Sequence, residues 1–453
     1  MKIYSVVLAA GKGTRMKTEM PKCAYPLLKK PMLMYIVEAL EESVVDDITV
    51  VIGHKAEVFE EIFGDRVTYA YQKEQLGTGH AVLSAASLLE GKDGLTVILA
   101  GDVPLVSKDL IDRVVGHHQK ENNALTIVSC VMPDPNGYGR IVRDANKNVV
   151  AIIEEKDASA EIKKIKEINS ALYVVDNKLL FDALKQITPH NAKHEYYLTD
   201  IVKIIGINHR VGTYIEEDHE ALSGINDLYS LSLVEKRMRM EVNKKYMMEG
   251  VNIVNPETVT IASSVKIEAE VTIFPNTYLT GNTIIKRKSQ IGPNTEINNG
   301  TIGEYCTVKH ALIHDSEIKN HSIIGPFAHV RNNSVIGEHN IMGNFVEVKK
   351  TVTGKDVKAT HLVYIGDTTT GDHVNFGSGS VTVNFDGEKK HQTIIGDDVF
   401  IGANTNLIAP LTIGDNVFIA AGSTISKDIP KDSFAIARSE QVTKVEPNNR
   451  FKK

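Results

Sequence analysis

The chain has 453 residues and carries 51 Lys and Arg against 57 Asp and Glu, a formal net charge of -6. That length gives two to three domains with ample core, and the mild negative balance implies no nucleic-acid or membrane partner, so anionic substrates must be met by local positive charge. Cys23, Cys130 and Cys306 lack metal-ligand spacing and read as free thiols of a reducing, cytoplasmic compartment, while no 18-residue apolar span and no signal-peptide-like opening are present.

The first element is the apolar run Ile3-Tyr4-Ser5-Val6-Val7-Leu8-Ala9-Ala10, a strand that delivers Gly11-Lys12-Gly13-Thr14-Arg15-Met16 and then Pro21-Lys22. Glycines let backbone amides converge on an anion, and Lys12, Arg15 and Lys22 supply the charge that polyphosphate binding requires. The spacing is neither GxxxxGK[ST] nor GxGxxG; taken alone, the loop reads equally well as a surface turn with solvated lysines. Gln72-Lys73-Glu74-Gln75-Leu76-Gly77-Thr78-Gly79-His80-Ala81 leads into a helix, and Thr96 to Ala100 is a buried strand ending in Gly101-Asp102-Val103-Pro104. A carboxylate at the end of a parallel strand is placed to hold a metal, the alternative being an ordinary strand-end cap. Strands near 3–9, 48–52, 67–71, 95–99, 124–131 and 167–175 alternate with helical patterns near 32–43, 77–90, 108–120 and 177–187. This alternation predicts a mostly parallel, doubly wound α/β domain over residues 1–226.

Leu228, Leu231, Val234, Met238, Val242 and Tyr246 then recur at helical spacing among charged residues, which predicts a linker helix over 227–250. Beyond it the period becomes six: Ile261, Ile267, Ile273, Leu279, Ile285, Ile291 and Ile297 in one run, and Ile395, Ile401, Leu407, Ile413, Ile419 and Ile425 in another. Three hexads make one triangular turn of a parallel β-solenoid, so stacked aliphatics form a core that no repeat could bury alone. Glycines beside the beat, as in Ile291-Gly292, Ile336-Gly337 and Ile401-Gly402, are expected to permit the corners between strands. The solenoid spans 251–437 and leaves a tail over 438–453, whose end, 446–453, is polar and basic and expected to fray.

A repeat specifies only a scaffold, so chemistry is sought where the pattern breaks. Asn384-Phe385-Asp386-Gly387-Glu388-Lys389-Lys390-His391-Gln392 has no aliphatic beat and predicts a loop thrown out from the prism. Upstream, Thr360-His361-Leu362-Val363-Tyr364 puts an imidazole, able to take a proton near neutral pH, at a coil corner. Among the 16 histidines, His310, His329 and His391 compete for the role of base.

The order Leu8-Ala9-Ala10-Gly11, Gly13-Thr14-Arg15-Met16, Pro21-Lys22, Gly77-Thr78-Gly79 and Gly101-Asp102-Val103-Pro104 resembles the sugar-nucleotidyltransferase signature. With the solenoid added, the whole chain is similar to the family that joins N-acetylglucosamine-1-phosphate uridylyltransferase to glucosamine-1-phosphate N-acetyltransferase in bacterial cell-envelope synthesis. Gly137-Tyr138-Gly139-Arg140, Glu154-Glu155-Lys156-Asp157 and Asn344-Phe345-Val346-Glu347-Val348-Lys349-Lys350 support the match. The resemblance implies a Rossmann-like domain followed by a left-handed parallel β-helix of hexapeptide repeats, assembled as a homotrimer. The implied substrates are UTP, glucosamine 1-phosphate, N-acetylglucosamine 1-phosphate and acetyl-CoA, with Mg²⁺ as cofactor.

In that family map Leu8, Ala9, Ala10 and Gly11 meet the nucleotide, Arg15 and Lys22 its phosphates, and Gln72, Gly77 and Thr78 the uracil. Asp102 and Asn226 hold Mg²⁺, and Gly139, Glu154 and Asn169 surround the amino sugar, although Glu154 could also belong to a solvated face. His361 is the acetyl-transfer base; Arg331, Lys349, Tyr364, Asn375 and Lys390 hold the sugar phosphate, and Asn384 polarises a carbonyl. Phe385, Ala403, Ala421 and Arg438 fall with Asn384 at acetyl-CoA positions. The chain departs from the pattern at Cys23-Ala24 after the loop lysine, at Phe385 for tyrosine, at Ala403 for serine and at Gln392 for lysine. Two other readings are a single-activity sugar-1-phosphate nucleotidyltransferase with an oligomerising solenoid, and a non-catalytic scaffold. The first has no need of His361, Arg331 and Lys349 together, and the second no need of the loop cations and Asp102.

Overall fold

Ile3–Leu8 is buried almost throughout because it lies at the centre of a nine-stranded sheet, with Asp47–Ile52 and Leu95–Ala100 paired to its two sides in parallel register. The computed structural model describes residues 1–443 apart from Lys12, so the charge expected of Lys12 and the fraying expected of 446–453 lie outside the described residues. The sheet path runs Val211–Ile215, Leu125–Val131, Glu167–Asp176, Leu95–Ala100, Ile3–Leu8, Asp47–Ile52, Thr68–Tyr71. Its central strands are continuous apolar runs because helices cover both faces. Leu33, Ile36, Phe59 and Leu110 pack on one side, and Val82, Leu180, Phe181 and Ile201 on the other. The doubly wound expectation therefore holds, with two reversals: Glu167–Asp176 runs antiparallel to its neighbours on the path, its register shifting between Asn169 and Tyr173, and Val149–Ile153, off the path, runs antiparallel to Arg140–Arg143.

Contacts divide the chain into two units, residues 1–235 and 236–453, within the helix Leu228–Met248. Leu231 and Val234 are buried in the first unit. Asn243 is fully buried in the second, its Nδ2 donating to the carbonyls of Pro256 at 2.7 Å and Val259 at 2.9 Å. Among the described residues no helix is long and apolar enough to cross a membrane.

The second unit is a parallel β-helix whose ladder reports the repeat directly. Ile261 pairs with Leu279 and Ile273 with Ile291, a step of 18 residues or three hexads. Through the middle the step shortens, as Ile297 pairs with Ile313 and Val348 with Ile365. This is why the six-residue beat is unbroken only outside that region. One coil is longer: Phe376 pairs with Ile401, 25 residues on, before Ile401 resumes the 18-residue step to Ile419. The seven extra residues leave the prism as the loop around 384–392.

The expected role of the glycines needs correction. Gly292 and Gly325 do take positive φ, but most left-handed corner positions belong to other residues, among them Asn294, Phe345, Leu362 and Asn404. Gly337 and Gly402 are required instead by close approach of the next coil. A Cβ at Gly337 would lie 1.9 Å from the Gly354 carbonyl oxygen, and one at Gly402 2.4 Å from the Ala421 nitrogen.

Candidate active sites

A cavity of about 410 Å³ opens at the carboxyl ends of Ile3–Leu8 and Leu95–Ala100, where an open α/β sheet binds its ligands. Leu8, Ala10, Gly11, Arg15, Lys22, Gln72, Gly77, Thr78 and Asp102 all line it. Ala9 does not; it is 3% exposed, packs into the core, and donates its N–H to the Val51 carbonyl. The alternation of a strand sends neighbouring side chains to opposite faces, so Ala9 serves the sheet while Leu8 and Ala10 face the cavity.

The charged groups converge on one point. Lys22 Nζ pairs with Asp102 Oδ2 and donates to Asn226 Oδ1 at 3.0 Å, and Arg15 Nη2 donates to the same oxygen at 2.7 Å. Gly13 makes this possible: its φ is +59°, and a Cβ there would lie 2.5 Å from Lys22 Cβ. Opposite, Gln72 is buried and its Nε2 donates to the Gly77 carbonyl at 3.1 Å, with His80 Nδ1 at the same distance. Gly77 has φ +118° and sits where a Cβ would meet the Tyr196 carbonyl at 2.6 Å, while Thr78 Oγ1 accepts from Leu198 N–H at 3.0 Å. Cys23 also lines the cavity; burial, then the charge of Asp102, pushes its thiol up to about 12, so it stays protonated.

Gly139, Glu154 and Asn169 form an adjoining group. Asn169 N–H donates to the Gly139 carbonyl at 2.9 Å, and a Cβ on Gly139 would meet Ile152 Cγ2 at 2.9 Å and Glu154 Oε1 at 3.5 Å. Burial pushes the Glu154 carboxyl up, against the opposing pull of Lys193 and Thr199. Asn169 Oδ1 accepts from Ala171 N–H at 3.2 Å, and Ala171, held at φ +60° in the irregular part of its strand, lines the main cavity. Ala171 and Glu195, from a loop whose next residue Tyr196 bonds Leu76 and Gly79, carried no signal in the sequence.

In the solenoid the assigned residues fall on two adjoining faces. His361 precedes the corner at Leu362, which has φ +47°, on the face that also holds Asn375, Ala403 and Ala421. Its Nδ1 lies 2.8 Å from Asn344 Oδ1. An amide oxygen only accepts, so Nδ1 carries the proton and the Nε2 lone pair is available. Asn344 was not singled out from sequence, because the pairing of 344 with 361 depends on a shortened 17-residue step. The Ala403 carbonyl accepts Gly422 N–H at 2.8 Å, and a Cβ on Gly422 would reach Arg438 Cδ at 3.9 Å.

Past the corner, Arg331 pairs in register with Lys349 and Lys349 with Gly366. Arg331 Nη2 contacts Glu347 Oε1 at 2.6 Å. Lys390, facing it from the extruded loop, then burial and Arg331, hold the Lys349 amine below its usual range. Asn384 is buried; its Nδ2 donates to Asp367 Oδ2 at 2.6 Å and lies 3.5 Å from Tyr364 Oη. Phe385 is 55% exposed beside it. Four residue steps separate Leu362 from Gly366, about 13 Å at strand rise, so the base, just before the corner, and the cation clamp stand about the width of one face apart.

Fold and sites together define a two-domain transferase, a nucleotidyltransferase joined to a hexapeptide-repeat transferase. Residues 4–228 match the Nucleotidyl transferase family, 273–376 the GMPPB C-terminal domain, and 392–427 the bacterial transferase hexapeptide (six repeats). The bifunctional protein GlmU of Acholeplasma laidlawii (strain PG-8A) is 54% identical over 98% of this chain and 96% of its own. Those of Caldanaerobacter subterraneus subsp. tengcongensis and Geobacillus sp. (strain WCH70) are 48% and 46% identical, each over 98% of this chain and 96% and 97% of their own. The chain belongs to the bifunctional GlmU family, and its solenoid is the left-handed β-helix of hexapeptide repeats.

Proposed function

We propose that this chain performs two transfers in UDP-N-acetylglucosamine synthesis: acetyl from acetyl-CoA to glucosamine 1-phosphate, then uridylyl from UTP to N-acetylglucosamine 1-phosphate with release of pyrophosphate. In the second step two anions must meet and a diphosphate must leave, so alignment and neutralisation can do most of the work. Arg15 and Lys22 meet the phosphates, Gln72 with the Gly77–Thr78 turn holds the uracil, and Gly139, Glu154 and Asn169 hold the amino sugar. Among the described residues no group of three or more His, Cys, Asp or Glu could hold a metal. Asp102 and Asn226 nevertheless fit Mg²⁺: two hard oxygens already converge on one cation, the Lys22 ammonium. When bound there, Mg²⁺ supplies charge neutralisation at the polyphosphate.

For acetyl transfer, His361 Nε2 removes the proton that the attacking amine loses, a general-base contribution of about 10² to 10⁴. Arg331, Lys349 and Lys390 hold the phosphate with Tyr364 and Asn375, and the Asn384 amide donates to the developing oxyanion. Ala403, Ala421, Arg438 and Phe385 receive coenzyme A. With base and clamp the width of a face apart, a homotrimer completes the site by bringing the clamp of one chain to the base of its neighbour. The reading belongs to a cytoplasmic enzyme of envelope-precursor synthesis.

One observation favours this over a nucleotidyltransferase with an inert solenoid: Lys390 and Lys349 are placed amine to amine beside Arg331. Glu347 pairs with Arg331, and Asp367 only partly offsets the repulsion at Lys349, so the two lysines favour a further anion between them. Supplying glucosamine 1-phosphate, acetyl-CoA, UTP and Mg²⁺ should release free thiol and pyrophosphate in turn. Pyrophosphate release from N-acetylglucosamine 1-phosphate with no thiol release under any condition would leave only the single-activity reading.

A further inference from the structure

Lys390 reaches Lys349 from a loop, and a carboxylate–imidazole pair closes that loop. The excursion is a short hairpin: Phe385 and Lys390 form an antiparallel bridge, Asp386 N–H donates to the Lys389 carbonyl at 3.2 Å, and His391 N–H donates to the Asn384 carbonyl at 2.8 Å. The Asp386 side chain ties both ends of it. Oδ1 accepts the N–H groups of Glu388 and Lys389, each at 2.8 Å, across the tip where Gly387 takes φ +103°. Oδ2 lies 2.6 Å from His391 Nε2 at the base. The roots are anchored to the solenoid, Asn384 on Asp367 and Gln392 Nε2 on Thr369 Oγ1 at 3.0 Å.

Arg331, Lys349 and Lys390 repel one another, so Lys390 needs a hold that does not depend on an anion. The pair supplies it, since His391 is the next residue in the chain and its side chain is only 22% exposed. The backbone N–H of Lys389, then His391 and the N–H of Glu388, draw the Asp386 carboxyl far below the usual range, so it is ionised throughout the working pH.

We propose that Asp386 and His391 are positioning residues of the acetyl-transfer site, fixing the hairpin so that Lys390 meets Lys349 and thereby setting affinity for the sugar phosphate. The proposal rests on the acetyltransferase reading of the solenoid; neither side chain is assigned a contact with reactants.

The test measures thiol release by the full-length chain as a function of glucosamine 1-phosphate. His391→Leu should raise KM for glucosamine 1-phosphate roughly tenfold to a hundredfold, the range of a lost charge-assisted hydrogen bond, while uridylyl transfer stays within about twofold. His391→Gln, whose amide can still donate to Asp386, should restore KM to within about threefold. Asp386→Asn keeps the Oδ1 acceptor that folds the hairpin but puts an amide NH2 in place of the charged Oδ2 acceptor that faces His391, and should raise the same KM. In a Lys390→Ala background His391→Leu should add less than about twofold, because both act through one contact. An unchanged KM in folded His391→Leu, or an effect undiminished by Lys390→Ala, overturns the proposal. Absence of thiol release from the unaltered chain would instead refute the acetyltransferase reading beneath it.

Discussion

Gly13→Ala isolates what the phosphate loop requires of its backbone. A residue with a Cβ pays about 1–2 kcal/mol to stand in the left-handed region, and Gly13 has φ +59°. The new methyl would also lie 2.5 Å from Lys22 Cβ, about 1 Å inside ordinary carbon–carbon contact. Lys22 must then move by about that amount, and its ammonium is what joins Asp102 to Asn226. A misplacement of about 1 Å can lower turnover about 10²-fold, so pyrophosphate release should fall by that factor while acetyl transfer on the same preparation is unchanged. Gly64→Ala is a control for backbone strain without a clash: its φ of +50° and ψ of -127° suit a Cβ even less than Gly13's conformation, but nothing lies within 4 Å of a Cβ there. It should lose at least as much stability and leave uridylyl transfer intact. A Gly13→Ala protein within about threefold of the unaltered kcat/KM, or a Gly64→Ala protein equally impaired, would refute the reasoning.

Replacing His361 with Ala should lower acetyl transfer by about 10² to 10⁴ and remove the imidazole component of its decline at acid pH; near-normal rates in a folded, stable variant would rule the assignment out. Dilution below the assembly constant should abolish acetyl transfer but not uridylyl transfer, and light scattering that finds a monomer fully active in acetyl transfer would contradict the shared site. Burial raises the folded-state pKa of Glu154 above its unfolded value, near 4.3, so its contribution to stability is complete below that unfolded value and is lost as pH rises through the folded-state pKa. Glu154→Gln should therefore gain melting temperature relative to the unaltered chain between acid and neutral pH, and an equal difference at both would show that the carboxyl is not held protonated by the fold.

The solenoid was legible because stacking forces an inward aliphatic at every coil, so its period survives in the letters. The glycine-rich loop and Asp102 were legible because each follows an apolar strand, Ile3–Leu8 and Leu95–Ala100. Ala171 was hidden by the register shift after Asn169, which turns a residue that alternation would place in the sheet toward the cavity. Asn344 was quoted only as part of a motif, and its partnership with His361 was hidden by coil length, since a 17-residue step rather than three hexads brings the two together. The glycines were visible but misattributed, because close approach between coils leaves the same letter as a left-handed turn.

The central claim is that one chain holds two separate chemistries. Asp102→Ala and His361→Ala, each assayed for thiol and for pyrophosphate, test it most directly. Asp102→Ala should lose pyrophosphate release and keep thiol release, and His361→Ala should do the reverse with N-acetylglucosamine 1-phosphate supplied. Loss of both products in either folded variant would contradict the account.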